Sequence, residues 1–103
     1  SAIEVATLRA IESPLNTVRV AQDQFAMLYE MADKGNPNSV SDAGVGAVCA
    51  MAAVEGGWMN VMINLSGLKD KAIAEKIKAE ANALLETAKA QKEKIVQLVI
   101  SKM

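Results

Sequence analysis

The 103-residue sequence has no histidine and one cysteine, Cys49. Without imidazole there is no His-based triad, and proton transfer by these residues must rest on carboxylates, lysine or ordered water. A lone cysteine excludes an intrachain disulfide and a cysteine zinc site, and the missing histidines close the usual transition-metal sites, so no metal is expected. Aromatics are limited to Phe25, Tyr29 and Trp58. With 18 alanines and 6 methionines, the apolar 51% consists mostly of small side chains, each burying little surface. A chain of this length buries roughly two-thirds of its unfolded surface, against a backbone ordering cost of ~1–2 kcal/mol per residue. So thin a core calls for close helix packing or a partner surface. There is no excess of basic charge, with 11 Lys+Arg against 12 Asp+Glu and a pI of 5.4. Nucleic acid is therefore not an expected partner.

No targeting segment opens the sequence, because Ser1 to Ala10 already carries Glu4 and Arg9 within an amphipathic pattern; a cytoplasmic protein is expected. Ala43 to Leu68 contains one charged residue, Glu55, over a length that could cross a bilayer. Glu55, Asn60 and Asn64 would each cost several kcal/mol in lipid, so a buried helix of a soluble bundle is expected instead of a membrane span.

Helical periodicity dominates, and no strand pattern competes. Ser13-Pro14 has the form of an N-cap with proline at the first helical position, which predicts a helix over about Ala2–Glu12, a break or kink, and a second helix over Pro14–Lys34. The buried candidates of the second are Leu15, Val18, Phe25, Leu28 and Tyr29. Gly35 fits the left-handed position that ends helices, and Asn36-Pro37-Asn38 forms the one strong loop. A third helix starts at Ser39–Asp42, capped by Ser39 or Ser41 with Asp42 in its first turn, and runs to about Leu65. Ser66-Gly67 breaks it. A fourth runs from about Asp70 towards Met103, with Ile73, Ile77, Ala81, Leu84, Ala88, Ile95 and Leu98 at heptad-like spacing. At ~50 Å it is far longer than a compact domain whose radius of gyration would be near 13 Å. The fold class is all-α, a long-helix bundle completed by another subunit or by a missing N-terminal half.

At about 100° per residue, Asp42, Gly46, Cys49, Ala53, Gly56, Asn60 and Asn64 fall near one line of the third helix. This stripe is either a close helix contact or a flat slot for a planar ligand, lined by small side chains with polar groups at both ends. Glu55 lies on the opposite face near Met51, Trp58, Met59 and Met62; burial there would raise its pKa as a general acid requires, and the plain alternative is a helix-edge carboxylate. Cys49, amid alanines, is expected to be an inert core residue. Asp42 near a helix N-terminus is favoured in its ionised form, either as a simple cap or as a group stabilising a cation. The eight lysines from Lys69 onward, against five acidic residues from Asp70 onward, mark a solvated face that could receive an acidic ligand tail.

The run from Gly35-Asn36-Pro37-Asn38 through Ser41-Asp42-Ala43-Gly44, followed by Asn60-Val61-Met62-Ile63-Asn64 and Lys69-Asp70, resembles the formiminotetrahydrofolate cyclodeaminase and methenyltetrahydrofolate cyclohydrolase family. Ser13-Pro14-Leu15 and the lysine-rich last helix extend the likeness over nearly the whole chain. The glycine-rich segment of the form PGGGS that opens an earlier helix in the family is absent, so the chain is similar to the C-terminal part of the domain. The resemblance implies an oligomeric helical enzyme acting on one-carbon derivatives of tetrahydrofolate, with folate as substrate and no cofactor. The resemblance leaves open whether it is a cyclohydrolase or a cyclodeaminase. Asp42 would be the catalytic carboxylate and Glu55 a second-rank acid; Asn36, Asn38, Ser41, Asn60 and Asn64 would bind substrate. The half-length chain alone is expected to be inactive. The competing class is a non-catalytic helical assembly or folate-binding module; a pure interface would have no need of so polar a loop at one helix start.

Overall fold

The computed structural model describes all 103 residues as three helices and no strands: α1 (Ala2–Lys34), α2 (Pro37–Leu65) and α3 (Lys71–Ser101). The rod measures 54 × 17 × 16 Å, with a radius of gyration of 16.2 Å. This is the elongated all-α bundle that the helix lengths demand.

α1 is one helix where two were expected. Pro14 sits inside it without a break. An interior proline removes a helix hydrogen bond and costs ~3 kcal/mol, but Ile11, Leu15 and Val18 on either side form one continuous buried stripe. Splitting the helix would turn part of that stripe out of the core, and tertiary burial prevails. Ser13 is no cap; its carbonyl accepts from the Thr17 hydroxyl at 3.2 Å. The cap of α1 is Ser1, whose Oγ accepts from the Glu4 N–H.

The core forms two apolar clusters along the rod. Val18, Phe25, Leu28, Met51, Val54, Ile95 and Val99 belong to one, and Ile11, Leu15, Val61, Leu65, Leu68 and Ala81 to the other. Trp58 and Leu84 pack against both, and the Trp58 Nε1–H donates to Asn82 Oδ1 at 2.8 Å. Small residues let α2 approach its neighbours. A Cβ on Gly57 would lie 2.6 Å from Val18 Cγ2 and 2.9 Å from the Pro14 carbonyl oxygen, and one on Gly44 would meet Val99 Cγ1 at 3.2 Å.

Polar contacts fix the ends and flanks. The Glu4 carboxylate accepts from the backbone N–H of Lys69 at 3.0 Å and of Asp70 at 3.0 Å, tying the start of α1 to the α2–α3 turn. These two N–H groups hold the Glu4 pKa below its ordinary value. Asp70 caps α3 by accepting from Ala72 and Ile73. Arg19 and Glu80 join α1 to α3 as a two-bond pair at 2.7 and 2.8 Å, which raises the Arg19 pKa and lowers that of Glu80.

α2 is long and apolar enough to cross a membrane by length and composition. Its inner side is nonetheless packed on α1 and α3, whose outer sides carry Arg9, Asp23, Glu86, Lys89 and Glu93. A bilayer would have to accept those charges with it.

Candidate functional site at the α1–α2 loop

The polar loop is built by glycine, asparagine and proline in sequence, each for a steric or hydrogen-bonding reason. Gly35 ends α1 by donating its N–H to the Met31 carbonyl at 2.9 Å. Its φ of −76° and ψ of 161° are extended, not left-handed as expected. Glycine is required here for space: a Cβ would overlap the Met31 carbonyl oxygen and lie 2.7 Å from Ser39 Cβ. Asn36 is also extended, at φ −72° and ψ 170°, as a residue before proline prefers. Pro37 takes the first helical position, where its fixed φ is already helical and no N–H is needed.

The helix therefore begins earlier than the Ser39–Asp42 start expected from sequence. The cap is Asn36, whose Oδ1 accepts from the Ser39 N–H at 3.0 Å, and neither Ser39 nor Ser41 serves. Asp42 consequently moves from the first turn to the second, with an exposed side chain. It is not the helix cap. Asn38 is exposed beside it, and Ser41 lines a cavity of about 380 Å³ with Gly35, Pro37, Val40, Val99, Lys102 and Met103.

Four of the seven predicted site residues thus gather at one end of the rod: Asn36, Asn38, Ser41 and Asp42. The other three do not join them. Asn60 follows Asp42 by eighteen residues, ~27 Å along the helix, and with Asn64 forms a local pair in which Asn64 Nδ2 donates to the Asn60 carbonyl at 2.7 Å. Glu55 lies partway along α2 with an exposed side chain, so the burial that would make it a general acid is not present.

The small-residue stripe makes a close helix contact within the chain at Gly46, where an added Cβ would lie 2.7 Å from Leu28 Cδ2 of α1, and is open along most of its remaining length. Cys49, Ala53, Gly56 and Asn60 are exposed, and a Cβ on Gly56 would meet nothing within 4 Å. Cys49, expected in the core, is on the surface. Besides Gly46, the glycine and alanine residues that admit close packing are Ala43, Gly44, Ala47 and Gly57 on the other side of α2. Around the open stripe stand exposed apolar side chains: Val45 at 63%, Val48 at 52%, Met59 at 60% and Ile63 at 75%.

A further residue at the loop, Lys102, was not foreseen. Its ammonium donates to the Ala32 and Asp33 carbonyls at the end of α1, contacts seventy and sixty-nine residues away in sequence. The lysine surplus after Lys69 was its sole sequence signal.

Comparison with known proteins gives these positions a context. The family model described as formiminotransferase-cyclodeaminase matches residues 1–83. The chain belongs to this family. It is 38% identical over 101 residues to a methenyltetrahydrofolate cyclohydrolase of Methylorubrum extorquens, covering 98% of the chain and 49% of that relative. A formimidoyltransferase-cyclodeaminase of Dictyostelium discoideum is 34% identical over 98 residues, covering 95% of the chain and 18% of the relative. The corresponding protein of Rattus norvegicus is 31% identical over 90 residues, covering 87% and 17%. The chain spans about half the length of the cyclohydrolase and under a fifth of these two cyclodeaminases. The family resemblance seen in the loop and NVMIN motifs is borne out.

Proposed function

We propose that the protein of which this chain is part acts in folate one-carbon metabolism, as a methenyltetrahydrofolate cyclohydrolase or a formiminotetrahydrofolate cyclodeaminase. The observation that carries the reading is the family membership together with the gathering of Asn36, Asn38, Ser41 and Asp42 at the cap and first two turns of α2. In the cyclohydrolase reaction water adds to a cationic carbon held between two nitrogens, and one C–N bond of the resulting tetrahedral carbon then breaks. In the cyclodeaminase reaction a ring-closing nitrogen adds to the formimino carbon and ammonia leaves. Both stabilise positive charge near the one-carbon unit and move a proton at a heteroatom, work suited to a carboxylate. Asp42 takes that role, and Asn36, Asn38 and Ser41 orient the substrate beside it. Asn60 and Asn64 contact a more distant part of the ligand, and Glu55 acts only if it is covered in the intact protein. Neither reaction needs a redox cofactor, and a cytoplasmic location fits the substrate.

The apolar outer side of α2 supports completion of the bundle by a further helix, from the rest of the family domain or from a second subunit of a homo-oligomer. The same surface also favours the competing reading of a non-catalytic helical assembly. Asp42→Asn in the intact protein separates them. Loss of about 10²–10⁴-fold in kcat on either folate, with binding retained, is the expected result. Undiminished turnover removes Asp42 from catalysis; a parent protein that neither binds nor converts methenyl-folate leaves the assembly.

A further inference from the structure

The last four carbonyls of any helix lack intrahelical partners, and the dipole makes that end negative. At the end of α1 two of them, those of Ala32 and Asp33, are taken by the Lys102 ammonium, the first at 2.7 Å. Lys102 is itself the C-cap of α3, its N–H bonded to the Val99 carbonyl at 3.1 Å. One turn back, the Val99 side chain fills the space over Gly44 in the second turn of α2, where an added Cβ would meet it at 3.2 Å. The end of α3 therefore touches α1 just before the loop and α2 just after it. Between these two contacts lie Gly35 to Asp42, and Lys102 supplies the one basic side chain in the cavity lined by Gly35, Pro37, Val40 and Ser41.

We propose that Lys102 is a positioning residue for the candidate site: by clamping the α1 terminus to the α3 terminus it sets where Asn36, Asn38, Ser41 and Asp42 stand. The side chain works through the backbone carbonyls it binds and not through substrate. An ammonium is suited to this because it donates to several acceptors at once, and the two carbonyls converge on it. The kinetic consequence rests on the folate reading; the placement of the loop does not.

The test compares Lys102→Met, which keeps most of the apolar stem and removes the donors, with Lys102→Arg, which restores a cation able to donate to two oxygens. In the intact protein, amide hydrogen exchange at Ser39 and Val40, whose N–H groups are held by Asn36, should quicken about tenfold in Lys102→Met while the middle of α1 and α3 stays protected. KM for methenyl-folate should rise several-fold as Asn36, Asn38 and Ser41 lose their placement, and kcat should fall several-fold as Asp42 loses its own. Lys102→Arg should recover most of both. Exchange unchanged at the loop, or quickened equally throughout the three helices, overturns the proposal, as does an arginine variant no better than methionine. A parent protein inert towards folates defeats the functional reading alone, because the exchange measurement still decides whether Lys102 holds the loop.

Discussion

The outward sides of α2 and α3 are similar in length and opposite in character. α3 presents Glu75, Lys78, Glu86, Lys89, Glu93 and Gln97 to solvent, with Ile73 and Ile100 as its exposed large apolar side chains, one at each end. α2 presents Val45, Val48, Cys49, Ala52, Ala53, Gly56, Met59 and Ile63, interrupted by Asp42, Glu55 and Asn60. Each helix has an inner stripe that builds the core, so inner packing does not distinguish them. The difference is that α3 is finished by water, whereas α2 has the composition of a helix packed on two sides. A face of this size on one helix is the kind of apolar surface that marks an interaction site. The molecule thus carries its polar loop and its open apolar stripe on the same helix.

Adjacent glycines give the sharpest test of this contrast. Gly57→Ala should destabilise the chain by about 1–2 kcal/mol, since overpacking costs ~1–3 kcal/mol against a helix-propensity gain of ~0.5–1 kcal/mol. The neighbours that would have to yield are the stiff Val18 side chain and the Pro14 backbone carbonyl. Gly56→Ala, with open space around it, should stabilise by about 0.5–1 kcal/mol in urea unfolding. If the same change destabilises the intact protein, a helix lies against Gly56 there; if both forms gain equally, the outer side is solvated and the contrast with α3 has no structural meaning.

Charge placed on the outer side has a smaller effect on this chain. Met59→Lys and Ile63→Lys should each change its stability by no more than about 0.5 kcal/mol, as Lys89→Gln should on α3. In the intact protein the α2 pair should lower the thermal midpoint by several degrees and the α3 change should not. Equal, negligible effects at both places would sink the distinction.

The smallest expected effect is a pH dependence at the α2–α3 turn. Two backbone N–H groups depress the folded pKa of Glu4 below its ordinary 4.5. Its contribution is therefore present above the unfolded pKa and is lost as pH falls through the folded value. Comparing the parent with Glu4→Gln, the difference in thermal midpoint should be largest near neutrality and fade below about pH 4.5. A difference that persists undiminished at pH 3 would show that the carboxylate charge is not what fastens the turn.

Much of this architecture was legible because helices announce themselves locally. The stripe Leu15, Val18, Phe25, Leu28 predicted the buried side of α1, and Ala81, Ala88 and Ile95 that of α3. Errors fell where a local signal was overruled from afar. Ser13-Pro14 reads as a helix start, yet packing on both sides of Pro14 holds one helix. Ser39 and Ser41 are good caps, but Asn36-Pro37 offers a cap and a pre-set first turn earlier in the chain. Of the site, the loop cluster was foreseen because its members are close in sequence. Lys102 was not, because no local pattern connects it to Ala32.

By itself the sequence determined that this chain is helical and histidine-free, which polar residues stand together at the start of α2, and which family it resembles. These follow from periodicity, composition and short motifs, all properties of neighbours along the chain. Only the tertiary structure decided which side of α2 would be buried. Both sides are rich in small and apolar residues, so hydropathy does not choose between them. The choice falls to shape: Gly57 admits Val18 and the Pro14 carbonyl, Gly44 admits Val99, and the side with Cys49, Ala53 and Gly56 is left facing outward.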